Sequence, residues 1–195
     1  MKPGILVVSL EMPASQIIDR MVAKIGNICL RTLSEGIKLE AQMRGVQKAL
    51  SILSNTNIVI RDDLHDIASI IATARAMAKS EGGLKILLVD YIQLVRCELG
   101  REGTREREVA EVSRGLRLLG LELKCLVIGI TQLNEQGKAR ESRAIQQDAT
   151  CIMAIKMDEE AGENRTIGIP YQRNGPCGVQ TTLKFNGRTA SFLDA

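Results

Sequence analysis

Lys85-Ile86-Leu87-Leu88-Val89-Asp90-Tyr91-Ile92-Gln93-Leu94 is the stretch from which the rest of the chain can be read. Apolar residues from Ile86 to Val89 run directly into a carboxylate, and Gly82-Gly83 stands just before them. A short continuous apolar run opened by a turn signal is the pattern of a strand buried on both faces. Such strands belong to parallel sheets whose faces are covered by helices. Ligands of these sheets bind outside the carboxyl ends of the strands, which is where Asp90 falls. One carboxylate after one strand can simply turn the chain. Two further runs end in a polar group: Ile5-Leu6-Val7-Val8-Ser9-Leu10 at Glu11, and Leu126-Val127-Ile128-Gly129-Ile130-Thr131 at Gln132. Three polar ends of this kind predict a shared site at one sheet edge.

Helical patterns separate these strands. Pro13 suits the first turn of a helix, and Ile17, Ile18, Met21, Val22 and Ile25 follow at helical spacing. Leu39, Met43, Val46 and Leu50 mark a second helix, which leads to a short strand at Ile58-Val59-Ile60. Asp62-Asp63 and the only histidine, His65, precede a helix from Ile67 to Lys79. His65 has no second histidine or cysteine at ligand spacing, so it reads as a solvated residue at a helix start. Residues 96–104 form a charged loop, after which Thr104 caps a helix with the apolar stripe Val109, Val112, Leu116 and Leu119. The mixed charges on its other faces read as a solvated surface. Residues 133–147 turn polar, a mobile loop of a length that compact domains reserve for function. Strands are expected at 150–157, 166–171, 180–185 and 189–193, with Asn186-Gly187 as a two-residue hairpin turn between the last two. The expected fold class is α/β: a mainly parallel sheet flanked by helices, extended by C-terminal β-hairpin strands.

At 195 residues the chain suits one domain, and 45% hydrophobic with 25% charged residues is ordinary for a globular protein. No apolar run approaches a membrane span and no leader pattern opens the chain, so a cytoplasmic protein with no membrane partner is expected. The five cysteines are scattered, with no Cys-x-x-Cys pair, which disfavours a disulfide framework or a zinc site. A net charge of +3 does not by itself imply nucleic acid, and 2% aromatic residues exclude a base-stacking platform. Any nucleic acid would be held through its backbone.

Four blocks carry a family resemblance: Ser9-Leu10-Glu11-Met12-Pro13, Val89-Asp90-Tyr91-Ile92-Gln93-Leu94, Thr131-Gln132-Leu133-Asn134 and Gln172-Arg173-Asn174-Gly175-Pro176. In this order they resemble the RecA-like C-terminal ATPase domain of DnaB-type replicative DNA helicases, across nearly the whole of residues 1–195. The resemblance implies a hexameric ring that couples ATP hydrolysis, with Mg²⁺, to 5′-to-3′ translocation on single-stranded DNA. It implies that Glu11 polarises the attacking water, Asp90 holds the Mg²⁺ shell through water, and Gln132 senses the γ-phosphate. It makes Arg173 a finger reaching the ATP of a neighbouring subunit. Tyr171 stands in the cofactor-binding position where the family usually has lysine. Lys138, Arg140, Glu141 and Arg143 match the channel loop that grips DNA, with residues 101–107 as a second channel-facing segment.

The resemblance also marks what is absent. No Gly-x-x-x-x-Gly-Lys-Ser/Thr occurs in the sequence, although in the family that loop and its helix come just before the strand at Ile5. The chain is therefore expected to lack the family's first strand, P-loop and following helix, and to be inactive alone. The alternative is a non-catalytic helicase paralogue or remnant that binds helicase subunits or DNA without hydrolysing ATP.

Overall fold

The computed structural model describes residues 2–98, 104–132, 142–157 and 162–194, with Ser142 and Arg143 described in their backbone only. In chain order the elements begin β1 (Gly4–Ser9), α1 (Ala14–Gly26), α2 (Leu30–Glu35), α3 (Glu40–Ser54), β2 (Asn57–Arg61), α4 (Ile67–Lys79) and β3 (Leu84–Asp90). They continue with α5 (Arg105–Leu123), β4 (Leu126–Gly129), α6 (Ser142–Asp148), β5 (Cys151–Met157), β6 (Asn164–Gln172), β7 (Val179–Asn186) and β8 (Ser191–Asp194). The chain divides into two compact units: residues 1–14 with 55–148, and residues 15–54 with 149–195.

The first unit is a parallel sheet of order β2-β1-β3-β4. Leu6, Leu87 and Val127 are register neighbours on one face, and Ile5, Ile86 and Leu126 on the other. Leu6, Val8, Leu87 and Val89 are fully buried in a core with Ile70 of α4 and Val109, Val112 and Leu119 of α5. The apolar stripe expected on α5 is thus the stripe that packs. Helix α5 comes close to β4 at Gly120, where an added Cβ would stand 2.9 Å from a Val127 methyl. Asp66 caps α4, its carboxylate accepting from the Ser69 N–H at 2.8 Å and the Ser69 hydroxyl at 2.6 Å. Thr104 caps α5 by accepting from the Arg107 N–H. His65 is exposed just before the Asp66 cap, and its carbonyl accepts the Arg96 N–H at 2.8 Å.

The second unit holds α2, α3 and an antiparallel sheet of order β5-β6-β7-β8. Phe185 and Phe192 pack across β7 and β8 with ring centroids 5.3 Å apart, and the Arg165 guanidinium lies over the Phe185 ring. The expected two-residue turn is instead a four-residue loop, because Asn186 pairs with Ser191. Side-chain and backbone bonds explain the longer loop. The Thr189 and Ser191 hydroxyls pair at 2.7 Å in a buried position, and the Arg188 carbonyl accepts the Leu30 N–H at the start of α2.

Helix α2 lies in a stretch to which the sequence reading assigned no element, and α6 stands where a polar loop was expected. Helix α2 carries an Arg31–Glu35 pair one turn apart. Helix α6 occupies the end of the polar 133–147 stretch, and residues 133–141 lie outside the described residues. Ile145, buried in the core, gives α6 its reason to form. No described helix is long and apolar enough to cross a membrane.

The α4 cap yields a stability prediction. Hydrogen bonds from Ser69 hold the Asp66 carboxyl below its ordinary value. Its stabilisation is therefore complete above the ordinary carboxylate pKa of about 4 and is lost as pH falls through the lower folded value. Asp66→Ala should cost about 1 kcal/mol in urea denaturation at neutral pH. Asp66→Asn keeps an acceptor but removes the titration, so its acid limb should be flatter; an unchanged limb would contradict the assignment.

Candidate functional site

The carboxyl edge of the parallel sheet is built by backbone pairing. Ser9 is paired with Asp90, and the Leu10 N–H donates to the Asp90 carbonyl at 2.7 Å. The Ser9 hydroxyl, buried, donates to the Met12 carbonyl at 2.7 Å, tightening the turn after β1. The Ala14 N–H, at the start of α1, donates to the Asp62 carboxylate at 2.9 Å. Since Pro13 has no N–H, Asp62 takes one of the first amide donors that α1 offers. These bonds hold Glu11 exposed at the tip of the turn.

On β3, Asp90 is the last residue and half-buried; its peptide bond to Tyr91 is cis. On the neighbouring strand the Ile130 N–H donates to the Val89 carbonyl, and the Ile130 carbonyl accepts from the Ile92 N–H, both at 2.9 Å. Gln132 follows two residues later and is exposed. Glu11, Asp90 and Gln132 therefore stand after the carboxyl ends of three adjacent parallel strands, on one edge of one unit.

Gln93 is a residue that sequence reasoning did not single out. Its side-chain N–H donates to the Thr131 hydroxyl at 2.9 Å, joining the segment after β3 to the one leading into Gln132. Its Oε1 is buried with no hydrogen-bond partner among the described residues. Arg105 donates to the Gln93 carbonyl and pairs with Glu108, so this arginine of the 101–107 segment is engaged within its own unit. The signal for Gln93 lay in its place three residues after Asp90, but its partner Thr131 is distant in sequence.

In the second unit, Tyr171 faces Ile152 across β5 and β6, and the Arg173 N–H donates to the Thr150 carbonyl at 2.9 Å. The Gln172 N–H reaches the Cys177 sulfur at 3.2 Å. The Gln172 side-chain amide packs over Gly175, where an added Cβ would stand 2.6 Å from its nitrogen. Arg173 is exposed on that turn.

Lys138, Arg140 and Glu141 lie outside the described residues, and Arg143 is placed only as a backbone position in the first turn of α6. No group of three or more His, Cys, Asp or Glu that could hold a metal ion occurs among the described residues. A carboxylate at the Asp90 position suits the water shell of Mg²⁺, which keeps most of its waters and leans on phosphate oxygens.

Comparison with known proteins adds to this geometry. The family model described as the DnaB-like helicase C-terminal domain matches residues 1–194. The replicative DNA helicase DnaB of Haemophilus influenzae is 34% identical over 208 aligned residues, covering 96% of this chain and 44% of that protein. The replicative DNA helicase DnaC of Bacillus subtilis is 33% identical, covering 90% of this chain and 42% of its own length. The chain thus spans under half the length of these relatives. Among solved structures, a DnaB-like replicative helicase described with its primase interactions superposes over 99% of this chain and 51% of that one. Its TM-score is 0.89 at 23% identity. A second solved structure, described as an ATPase domain, superposes with the same TM-score and identity, and this chain covers 75% of it. Both show the same fold.

Ser9→Ala tests how the turn is held. Losing the bond to the Met12 carbonyl should cost about 0.5–1.5 kcal/mol and speed amide exchange at Leu10 and Ala14. Unchanged exchange at both amides would mean that the turn is positioned by something other than Ser9.

Proposed function

The chain belongs to the DnaB-like helicase C-terminal domain family, and on that premise we propose that it serves as the ATPase domain of a 5′-to-3′ replicative DNA helicase ring in the cytoplasm. The observation that carries this reading is the alignment of Glu11, Asp90 and Gln132 at one parallel-strand edge. Phosphoryl transfer to water needs a metal held, a water oriented and the transition-state charge balanced. ATP bound with Mg²⁺ supplies the phosphoryl group and most of the positive charge at its oxygens. Glu11, exposed on its turn, orients and polarises the attacking water. Asp90 holds the water shell of the metal. Gln132 contacts the terminal phosphate and passes its loss to the residues that follow, with Gln93 and Thr131 holding its approach.

These residues fit the water-activating and metal-shell roles but supply no cradle for the phosphates. A P-loop contributes the backbone amides and the lysine that hold them, and no such loop occurs in the sequence. The chain alone therefore binds ATP poorly. Arg173 acts across a subunit interface on a neighbour's nucleotide, with Tyr171 beside it in place of a second cation. Lys138, Arg140 and Arg143 hold single-stranded DNA by its phosphates, without regard to sequence and with strong salt dependence. The absent P-loop and Tyr171 together favour a second reading, a non-catalytic subunit that enters or blocks a ring.

Mixing the chain with a full-length DnaB-type helicase from the same genome tests the ring role. The chain should enter rings and lower unwinding, because each copy brings a site without a P-loop. Arg173→Ala should deepen the inhibition by disabling the adjacent competent site, since such a finger is worth on the order of 10³ in rate. Absence of co-assembly by light scattering, with ATP present and across mixing ratios, would leave a solitary domain as the better description.

A further inference from the structure

The backbone ladder between β3 and β4 ends before the polar residues it serves. Its last two bonds run from the Ile130 N–H to the Val89 carbonyl and from the Ile92 N–H to the Ile130 carbonyl, both at 2.9 Å. Among the described residues no backbone–backbone bond reaches Thr131 or Gln132. Side chains take over there. The Gln93 amide N–H donates to the Thr131 hydroxyl at 2.9 Å, and that hydroxyl donates to the Gln132 carbonyl at 3.3 Å. An amide nitrogen can only donate and a hydroxyl has a single proton, so the direction of both bonds is fixed.

The base of Gln93 is anchored on two sides. It lies in the short 3-10 turn Ile92–Leu94, where the buried Ile92 side chain packs so closely over Gly129 that an added Cβ would overlap its methyl. On the other side the Gln93 carbonyl accepts from the Arg105 guanidinium at the start of α5. The amide thus leaves a fixed point and reaches across to the segment after the neighbouring strand.

Stability does not account for an amide at this place. The Gln93 Oε1 is buried with no hydrogen-bond partner among the described residues. A buried acceptor left unpaired costs at least as much as one hydrogen bond returns, so the amide brings little net stability. Ordering a long, flexible side chain adds a further cost. A methionine would fill similar space with neither cost of pairing. Side chains that cost stability without return are expected where position serves a function.

We propose that Gln93 and Thr131 are positioning residues for Gln132, joined in a one-way relay that carries the register of β3 past the last backbone bond. The inference rests on the ATPase reading above and specifies how its phosphate-contacting amide is held. The relay fixes the Gln132 carbonyl, and with it the backbone from which the Gln132 side chain meets a terminal phosphate. Such a contact needs its donor held in advance, because a misplacement of about 1 Å can cost on the order of 10² in rate. Asp90 ends β3 and Gln93 follows three residues later, so the metal-shell carboxylate and the sensing amide are set from one strand.

The experiment is nuclear magnetic resonance on the full chain without nucleotide, with Gln93→Met, Thr131→Val and Thr131→Ser. Gln93→Met and Thr131→Val should each lower the Gln132 backbone order parameter from the rigid value of about 0.85 toward the flexible range below about 0.6. Each should also move the Gln132 carbonyl resonance upfield, while the thermal midpoint stays that of the parent. Thr131→Ser keeps the hydroxyl and should leave both signals in place. The two residues act as one unit, so the double variant should be no worse than either single one. Thr131→Val, at a half-buried position outside any strand, keeps the test open should Gln93→Met fail to fold. An unchanged Gln132 in Thr131→Val overturns the proposal, and so does a Thr131→Ser variant that behaves like Thr131→Val. A parent chain already flexible at Gln132 overturns it too. With no nucleotide present, the relay can fail while Glu11→Gln still slows hydrolysis, and it can hold while Glu11→Gln changes nothing.

Discussion

The site depends on the register of three parallel strands, locked at their carboxyl ends by two backbone hydrogen bonds. One runs from the Leu10 N–H to the Asp90 carbonyl and the other from the Ile130 N–H to the Val89 carbonyl. Side chains alternate along a strand, so a slip of one residue would send every side chain of that strand to the other face. The buried Leu6, Val8, Leu87 and Val89 oppose such a slip, because it would expose them. The same apolar alternation that builds the core therefore sets the height at which Glu11, Asp90 and Gln132 leave their strands. Ser9 and Asp62 then shape the turn that carries Glu11. Position at this edge is a consequence of packing several residues away.

The parallel half of the fold is legible because its strands are continuous apolar runs and its helices carry clean stripes. Asp90 can be read directly as the end of β3, and Val109, Val112, Leu116 and Leu119 as the buried stripe of α5. Elements that rest on one distant contact are not legible. Helix α6 sits in a polar stretch and is anchored in the core by Ile145. The loop between β7 and β8 is set by the Thr189–Ser191 pair and the bond to Leu30, not by the Asn-Gly turn chemistry alone. Gln93 belongs to the same class, since its meaning comes from Thr131, 38 residues away. Arg105 is a further case: a charge that reads as available for DNA is drawn back onto the Gln93 carbonyl and Glu108.

Together these features describe a member of the DnaB-like helicase C-terminal domain family built from two compact units. The first unit presents the carboxylates and the amide at its polar edge, and its apolar outer strand β4 is paired with β3 on one side. The second presents Arg173 on a turn closed by Gln172, Gly175 and Cys177. No Gly-x-x-x-x-Gly-Lys-Ser/Thr phosphate loop occurs in the sequence.

The most direct test is the steady-state rate of Mg²⁺·ATP hydrolysis by the chain completed with a phosphate-loop segment, measured with and without Glu11→Gln. If Glu11 activates the water, the completed chain hydrolyses ATP and Glu11→Gln lowers the rate by about 10²–10⁴-fold while nucleotide affinity is retained. A Glu11→Gln rate equal to that of the unsubstituted chain would contradict the account.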